Sequence, residues 1–161
     1  MKRALLPLPL LLTFLSSYAS SQTVAPSGRD QDESGIRQVL TSGTDAWNRH
    51  DAKAFSLVFA EDADFTNVVG MSAHGRAEIE KFHAPMFATR FKDTHLTITD
   101  SKTRFLAPDI AAVDAHWEMT GAKSPDGQEI PLRKGLLNFV MTRPNGQWLI
   151  TIMHNMDLPQ R

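Results

Sequence analysis

Apolar positions recur at helical spacing through the first half of the chain. Residues 31–49 carry one apolar stripe, which predicts an amphipathic helix and consists of Ile36, Val39, Leu40, Gly43 and Trp47. His50 interrupts this pattern, and Asp51 can cap a second, short helix directly after it. A third helix is predicted to begin at Gly75, with an inward stripe of Ile79, Phe82, His83, Met86, Phe87 and Phe91. Pro85 falls inside that stripe and predicts a kink.

The second half of the chain alternates apolar and polar residues with a period of two. This alternation predicts four long strands, at residues 94–105, 110–121, 132–143 and 148–157. A polar corner at 61–64 and a short strand at 65–68 are predicted before them. Pro144-Asn145-Gly146 predicts a hairpin turn between the last two strands. Helices followed by antiparallel strands are typical of an α+β fold with the helices on one face of the sheet.

The chain start reads as a secretory leader. Met1-Lys2-Arg3 is basic, residues 4–15 are an apolar run, and small residues follow, so residues 1–21 predict a signal peptide. We therefore expect an exported protein, periplasmic or secreted. The apolar run is shorter than the roughly 20 residues that a spanning helix needs. Residues 22–29 predict a flexible lead-in, 30–157 one domain, and 158–161 a tail.

Composition narrows the chemistry that the domain can perform. The chain has 17 Lys and Arg against 18 Asp and Glu, and removing Lys2 and Arg3 with the leader makes the net charge −3. This mildly acidic balance argues against nucleic-acid binding. The absence of cysteine excludes disulfides, thiolate nucleophiles and Cys-ligated zinc. The one tyrosine, Tyr18, lies in the leader, so proton chemistry falls to His, Asp, Glu or Lys.

Four local motifs, in this order, resemble the SgcJ/EcaC-type, SnoaL-like proteins of the nuclear-transport-factor-2-like superfamily. They are Trp47-Asn48-x-His50-Asp51, Phe65-x-Asn67-Val68-x-Gly70, Gly75-Arg76-x-x-Ile79 and Trp148…His154-Asn155. The resemblance implies a cystatin-like cone, in which a curved antiparallel sheet wraps around the N-terminal helices and leaves an apolar pocket at its open end. It also implies homodimers. Some members bind small molecules, and others are cofactor-free isomerases, cyclases or dehydratases.

One position departs from a related group of enzymes. The ketosteroid isomerases use a carboxylate on the first strand as the base, and the matching residue here is Asn67, whose amide accepts no proton at neutral pH. The phenol that those enzymes use is absent from the mature chain as well. Steroid-isomerase chemistry by that mechanism is therefore not expected, and neither is a cofactor.

Two histidines are the candidate proton carriers. His83 lies among apolar residues on the inward stripe of the third helix, where it could act as a base or instead be a neutral core histidine bonded to a backbone carbonyl. His154 and Asn155 point to opposite faces of the last strand. His154 shares its face with Trp148 and Ile150, so we expect His154 to line the pocket. Asn155 is then expected to contact a helix end or the partner of a dimer instead.

The remaining candidates are expected to bind substrate. Asn67 could orient a carbonyl or hydroxyl group, or could instead stabilise the turn before Gly70. Aromatic residues could supply the pocket wall or simply the core. With Asn155, the candidate substrate-binding residues are Trp47, Phe65, Asn67, Phe87 and Trp117.

The residues predicted on the outward face of the sheet indicate surface or dimer contacts rather than a catalytic or metal site. Asp114, His116 and Glu118 alternate on it, but their spacing does not favour a metal site. The next strand places a semi-apolar set on that face, compatible with a twofold homodimer: Leu136, Asn138, Val140 and Thr142. The expected partner in the pocket is a small apolar or amphipathic molecule. Three functions remain open: a binding protein with cofactor-free acid–base catalysis, a non-catalytic ligand-binding or dimerisation module, and, least favoured, a metal-dependent enzyme.

Overall fold

The structure, a computed structural model, describes residues 28–159. The predicted signal peptide and most of the lead-in lie outside the described residues, so export stays a prediction. Gly28 and Arg29, predicted as lead-in, already belong to the first helix. None of the helices in the described part of the chain is long and apolar enough to cross a membrane.

Three helices form one layer of the fold: α1 at Gly28–Asn48, α2 at Ala52–Ser56 and α3 at Arg76–Phe87. α1 ends where His50 adopts a left-handed backbone with φ of 56°. Asp51 caps α2 as predicted, because its Oδ1 accepts a hydrogen bond from the Ala54 N–H at 2.9 Å. Pro85 lies in the last turn of α3, and the helix ends two residues later.

A six-stranded sheet forms the second layer, in the order β2-β1-β6-β5-β4-β3. Its strands are β1 at Phe59–Thr66, β2 at Ser72–His74, β3 at His95–Ala107, β4 at Ile110–Thr120, β5 at Arg133–Thr142 and β6 at Leu149–Asp157. The predicted α+β class is confirmed, with a curved, unclosed sheet beside the N-terminal helices. The sheet is antiparallel except that β1 runs parallel to β6. Residues 144–146 form the predicted turn between β5 and β6.

The prediction of a polar corner at residues 61–64 is wrong. These residues continue β1, which begins at Phe59. Pairing across the sheet overrides their polarity, since β1 lies between β2 and β6 and, after Ala60, turns only Ala63 and Phe65 towards the core. The Arg76 guanidinium also donates to the Phe59 carbonyl at 2.6 and 3.2 Å, which fixes the start of the strand beside α3.

A β-bulge in β6 decides which residues reach the interior. Met141 of β5 pairs with Ile150, but Val140 pairs with Ile152, so Thr151 is an extra residue in β6. An extra residue exchanges the two faces of a strand from that point onward. Ile150 is therefore buried before the bulge, and Met153 is buried after it.

Candidate functional site

A cavity lies between the helices and the inner face of the sheet, which is the face that the helices cover. It consists of two adjacent chambers. The deep chamber, about 50 Å³, lies between α1 and the strands. The mouth chamber, about 430 Å³, lies between α3, the β1–β2 turn and the ends of β4, β5 and β6. Five residues line both chambers: Trp47, Trp117, Met119, Met153 and Asn155. The mouth chamber falls within the roughly 300–1,000 Å³ of ligand pockets.

Trp117 and Asn155 form a fixed polar pair where the chambers meet. The Trp117 Nε1–H donates to the Asn155 Oδ1 at 2.9 Å. Trp117 is 2% exposed, and its indole lies directly over Gly135, its register partner on β5. Because the amide oxygen is occupied, the orientation of the Asn155 amide is set, and no described residue accepts a hydrogen bond from its Nδ2. Asn155 therefore offers an N–H donor to a molecule in the cavity.

His83 forms part of the mouth-chamber wall and is 1% exposed. Five aromatic rings surround its imidazole, and the nearest are Phe55 at 4.7 Å and Phe65 at 4.9 Å between centroids. Its Nδ1 lies 2.7 Å from the Ile79 carbonyl oxygen, so Nδ1 carries the proton and donates it. Burial lowers the pKa of His83 to about 4, which the hydrogen bond to Ile79 only partly opposes. The imidazole is thus neutral at pH 7, with Nε2 as an acceptor.

The predicted aromatic wall is present in part. Trp47 lines both chambers, Phe65 lines the mouth chamber, and the Trp47 Nε1–H already donates to the Thr94 hydroxyl at 3.1 Å. The prediction that Phe87 lines the pocket is wrong. Phe87 is buried behind His83 and packs edge-on against Trp47, with 4.9 Å between ring centroids. It contributes to the core.

Asn67 stabilises the turn before Gly70 and also lies in the wall of the mouth chamber, whereas its role in orienting a substrate stays a prediction. Its Oδ1 accepts from the backbone N–H groups of Val69 at 3.0 Å and Met71 at 2.9 Å, which stabilises the β1–β2 turn. Asn67 also lines the mouth chamber. Since the oxygen is used by the turn, only the Nδ2 of Asn67 can meet a ligand.

The prediction that His154 lines the pocket is wrong. His154 is exposed on the outer face, where it pairs in register with Asn138 and Thr66. The bulge at Thr151 is the cause, because it ends the alternation that joined His154 to Trp148 and Ile150. Asn155 takes the inward position instead. The two histidines therefore lie on opposite faces of the sheet and do not share a site.

Charged residues at the mouth were missed by the sequence analysis. Arg90, Arg133, Lys134 and Asp157 line the mouth chamber. The Arg133 Nη2 donates to both Asp157 oxygens, at 2.7 and 2.9 Å. The one signal in the sequence is the basic pair Arg133-Lys134 at the start of a strand, and only the register of β5 on β6 places Asp157 beside it.

The outer-face carboxylates take part in surface contacts. Asp114 Oδ1 accepts from the Asn138 Nδ2 at 2.6 Å, and Glu118 pairs with Lys134 at 2.6 Å. Within residues 28–159, no group of three or more His, Asp or Glu side chains is arranged to hold a metal ion.

This architecture, a layer of helices over a curved six-stranded sheet with a cavity between them, is a cystatin-like, nuclear-transport-factor-2-like fold. A cystatin-like protein of Caulobacter vibrioides superposes with a TM-score of 0.74 and is 26% identical, over 80% of this chain and 91% of that one. A domain of unknown function from Nostoc punctiforme gives 0.69 at 28% identity, over 81% and 79%. A Novosphingobium aromaticivorans protein, provisionally named a scytalone dehydratase, gives 0.68 at 16% identity, over 83% and 92%.

The family follows from the sequence match. The SnoaL-like domain matches residues 41–149 of this chain, which include α2, α3, β1 to β5 and the C-terminal part of α1. The chain therefore belongs to the SnoaL-like domain family. No curated protein matches it.

Proposed function

We propose that this protein is an exported SnoaL-like protein, of the SgcJ/EcaC type, that binds a small, mostly apolar molecule in the two-chamber cavity. The observation that carries the proposal is the Trp117–Asn155 hydrogen bond, which occupies the amide oxygen of Asn155 and leaves its N–H donor in the wall of a largely apolar cavity. A mostly apolar pocket with a few oriented polar groups is the usual form of a small-molecule site.

The polar groups define what the ligand carries. Asn155 supplies a donor through Nδ2, and His83 supplies an acceptor through the unprotonated Nε2. A hydroxyl group on the ligand matches both protein groups, because it accepts a hydrogen bond from the Asn155 donor and donates one to the His83 acceptor. A buried hydrogen bond contributes more to selectivity than to affinity, since a ligand without the hydroxyl leaves these protein groups unpaired. We therefore infer a hydroxylated apolar ligand with an aromatic or alicyclic body.

Cofactor-free acid–base catalysis is a second candidate function. The unprotonated Nε2 of His83 favours it, as does the dehydratase name of the Novosphingobium relative. The depressed pKa of about 4 makes His83 a weak base at neutral pH. His154 supplies no second proton carrier, because it lies on the outer face. Binding is therefore the function that the geometry supports best.

The predicted homodimer stays a proposal alongside the ligand site. The outer face of β5 and β6 exposes or half-exposes a semi-apolar set that a twofold partner could cover, formed by Leu136, Val140, Ile152 and Met156. A dimer through this face would leave the mouth chamber accessible, because the chamber lies on the inner side of the sheet. Dimerisation and ligand binding are thus compatible.

Replacing Asn155 by leucine is expected to weaken hydroxyl-specific binding. Leucine has nearly the same shape as asparagine and no donor, so binding of 1-naphthol should weaken about tenfold, as expected for one lost hydrogen bond. Binding of naphthalene, which has no hydroxyl, should change by less than about threefold. Equilibrium dialysis at pH 7.5 measures both.

The matched control is His154→Leu, one residue away on the outer face, which should leave the affinity for both ligands unchanged. A second variant, His83→Phe, removes the acceptor within the same aromatic cluster and should also reduce the preference for 1-naphthol. Equal affinity of the unmodified protein for 1-naphthol and naphthalene would contradict the proposed polar contacts.

A further inference from the structure

The rim of the mouth chamber carries charges that the contacts to Asn155 and His83 do not use. Its charged lining residues are three cations and one carboxylate: Arg90, Arg133, Lys134 and Asp157. The rim is therefore net cationic, although the whole chain has a net charge of −1. An excess of one sign of charge around a cleft raises the local concentration of oppositely charged ligands.

Two of these cations already have carboxylate partners. Arg133, whose side chain is 14% exposed, donates to both oxygens of Asp157. Its guanidinium carbon also lies 5.4 Å from the Trp117 ring centroid, so it supports the indole that holds Asn155. Lys134 pairs with Glu118 at 2.6 Å. These pairs leave little unbalanced charge at Arg133 and Lys134.

Arg90 differs from both. Its Nε donates to the Lys123 carbonyl at 3.1 Å, and its guanidinium carbon lies 5.7 Å from the Phe91 ring centroid. These contacts orient the guanidinium at the mouth. In the part of the chain that the structure describes, Arg90 forms no ion pair with a carboxylate, and its contacts leave the Nη atoms as free donors. An oriented guanidinium with free N–H donors matches the two oxygens of a carboxylate.

We propose that the apolar ligand also carries one carboxylate group, and that Arg90 binds this carboxylate at the mouth of the cavity. The apolar body then enters between Trp47 and Trp117, where the lining is largely apolar. A monoanion matches Arg90, which is the one guanidinium lining the mouth chamber that forms no ion pair with a carboxylate of residues 28–159. This inference rests on the proposed small-molecule binding and adds the class of ligand, an amphipathic carboxylic acid.

The test compares two ligands of nearly equal shape, 1-naphthaleneacetate and its neutral amide, 1-naphthaleneacetamide. The unmodified protein should bind the acetate about fivefold more tightly in equilibrium dialysis at pH 7.5, which is the effect of one exposed ion pair. The preference should decrease as the salt concentration rises, because Arg90 is exposed to solvent.

The decisive variant is Arg90→Gln, which should abolish the preference for the acetate and leave the affinity for the amide within about twofold. Arg104→Gln is the matched control. It removes the same charge from an exposed position on β3 that lines neither chamber, and it should retain the preference.

The outcomes separate this inference from the proposed function. Binding of both ligands with equal affinity, or a preference for the acetate that survives Arg90→Gln, overturns the role of Arg90 and leaves the cavity as a binding site. Failure of the unmodified protein to bind either ligand overturns small-molecule binding and this inference with it.

Discussion

Gly135→Ala is expected to lower the free energy of unfolding by about 3 kcal/mol, since over-packing a closed core forces side chains and backbone to move. A Cβ at this position would lie 2.2 Å from Trp117 Cε2 and 2.5 Å from the Met156 carbonyl oxygen. The indole would have to leave its place over β5 and would no longer hold Asn155. Urea denaturation followed by circular dichroism measures the stability change, and 1-naphthol binding should be lost in the same variant.

Gly28→Ala is the control for this prediction. A Cβ at residue 28 meets no heavy atom within 4 Å, so its effect should be within about 0.5 kcal/mol, the usual range for exposed positions. If Gly135→Ala changes stability and 1-naphthol binding as little as Gly28→Ala does, then Trp117 does not lie in close contact with β5.

Acidification from pH 7.5 to pH 4.5 is expected to remove roughly 2 to 3 kcal/mol of stability through His83 alone. Burial lowers its pKa from 6.5 to about 4 in the folded state. Between these values the unfolded chain binds the proton and the folded protein does not. The contribution of His83 is therefore fully present above pH 6.5 and is lost as the pH falls towards 4. Urea denaturation across this range measures it.

The variant His83→Phe isolates this contribution, because carboxylates and other histidines titrate in both proteins. The unmodified protein should lose roughly 2 to 3 kcal/mol more than His83→Phe between the two pH values. His74, whose pKa is raised by its hydrogen bond to Asp64, acts in the opposite direction but is present in both. Parallel stability curves for the two proteins would show that His83 is not buried as a neutral group.

Local patterns predicted the elements that are fixed by nearby residues. The long strands β3 to β6 and the Asp51 cap follow from spacing and capping within a few residues, and the strands lie within about two residues of their predicted bounds. The third helix begins next to Gly75 as predicted, but it ends at Phe87, before the last residue of the predicted stripe, Phe91. Local patterns did not predict the first half of β1. Residues 61–64 are mostly polar and exposed in large part, and they belong to a strand because β1 pairs with β2 on one side and with distant β6 on the other.

In the candidate site as well, local patterns predicted some features, whereas features that depend on contacts between distant residues were not predicted. Trp47, Phe65, Asn67, His83, Trp117 and Asn155 all line the cavity. The choice of His154 over Asn155 failed because the bulge at Thr151 depends on how β5 pairs with β6. The bulge cannot be recognised from the sequence, because apolar residues occur both before and after Thr151. The Trp117–Asn155 hydrogen bond joins residues 38 positions apart, so no local pattern could reveal it.

The most direct test of a ligand-binding cavity is a crystal structure of the protein soaked with 4-bromo-1-naphthol, in which anomalous scattering locates the bromine. We expect one bromine peak inside the cavity, with the naphthol oxygen within hydrogen-bonding distance of Asn155 Nδ2. A cavity without a bromine peak, or a peak confined to the outer face near His154, would contradict it.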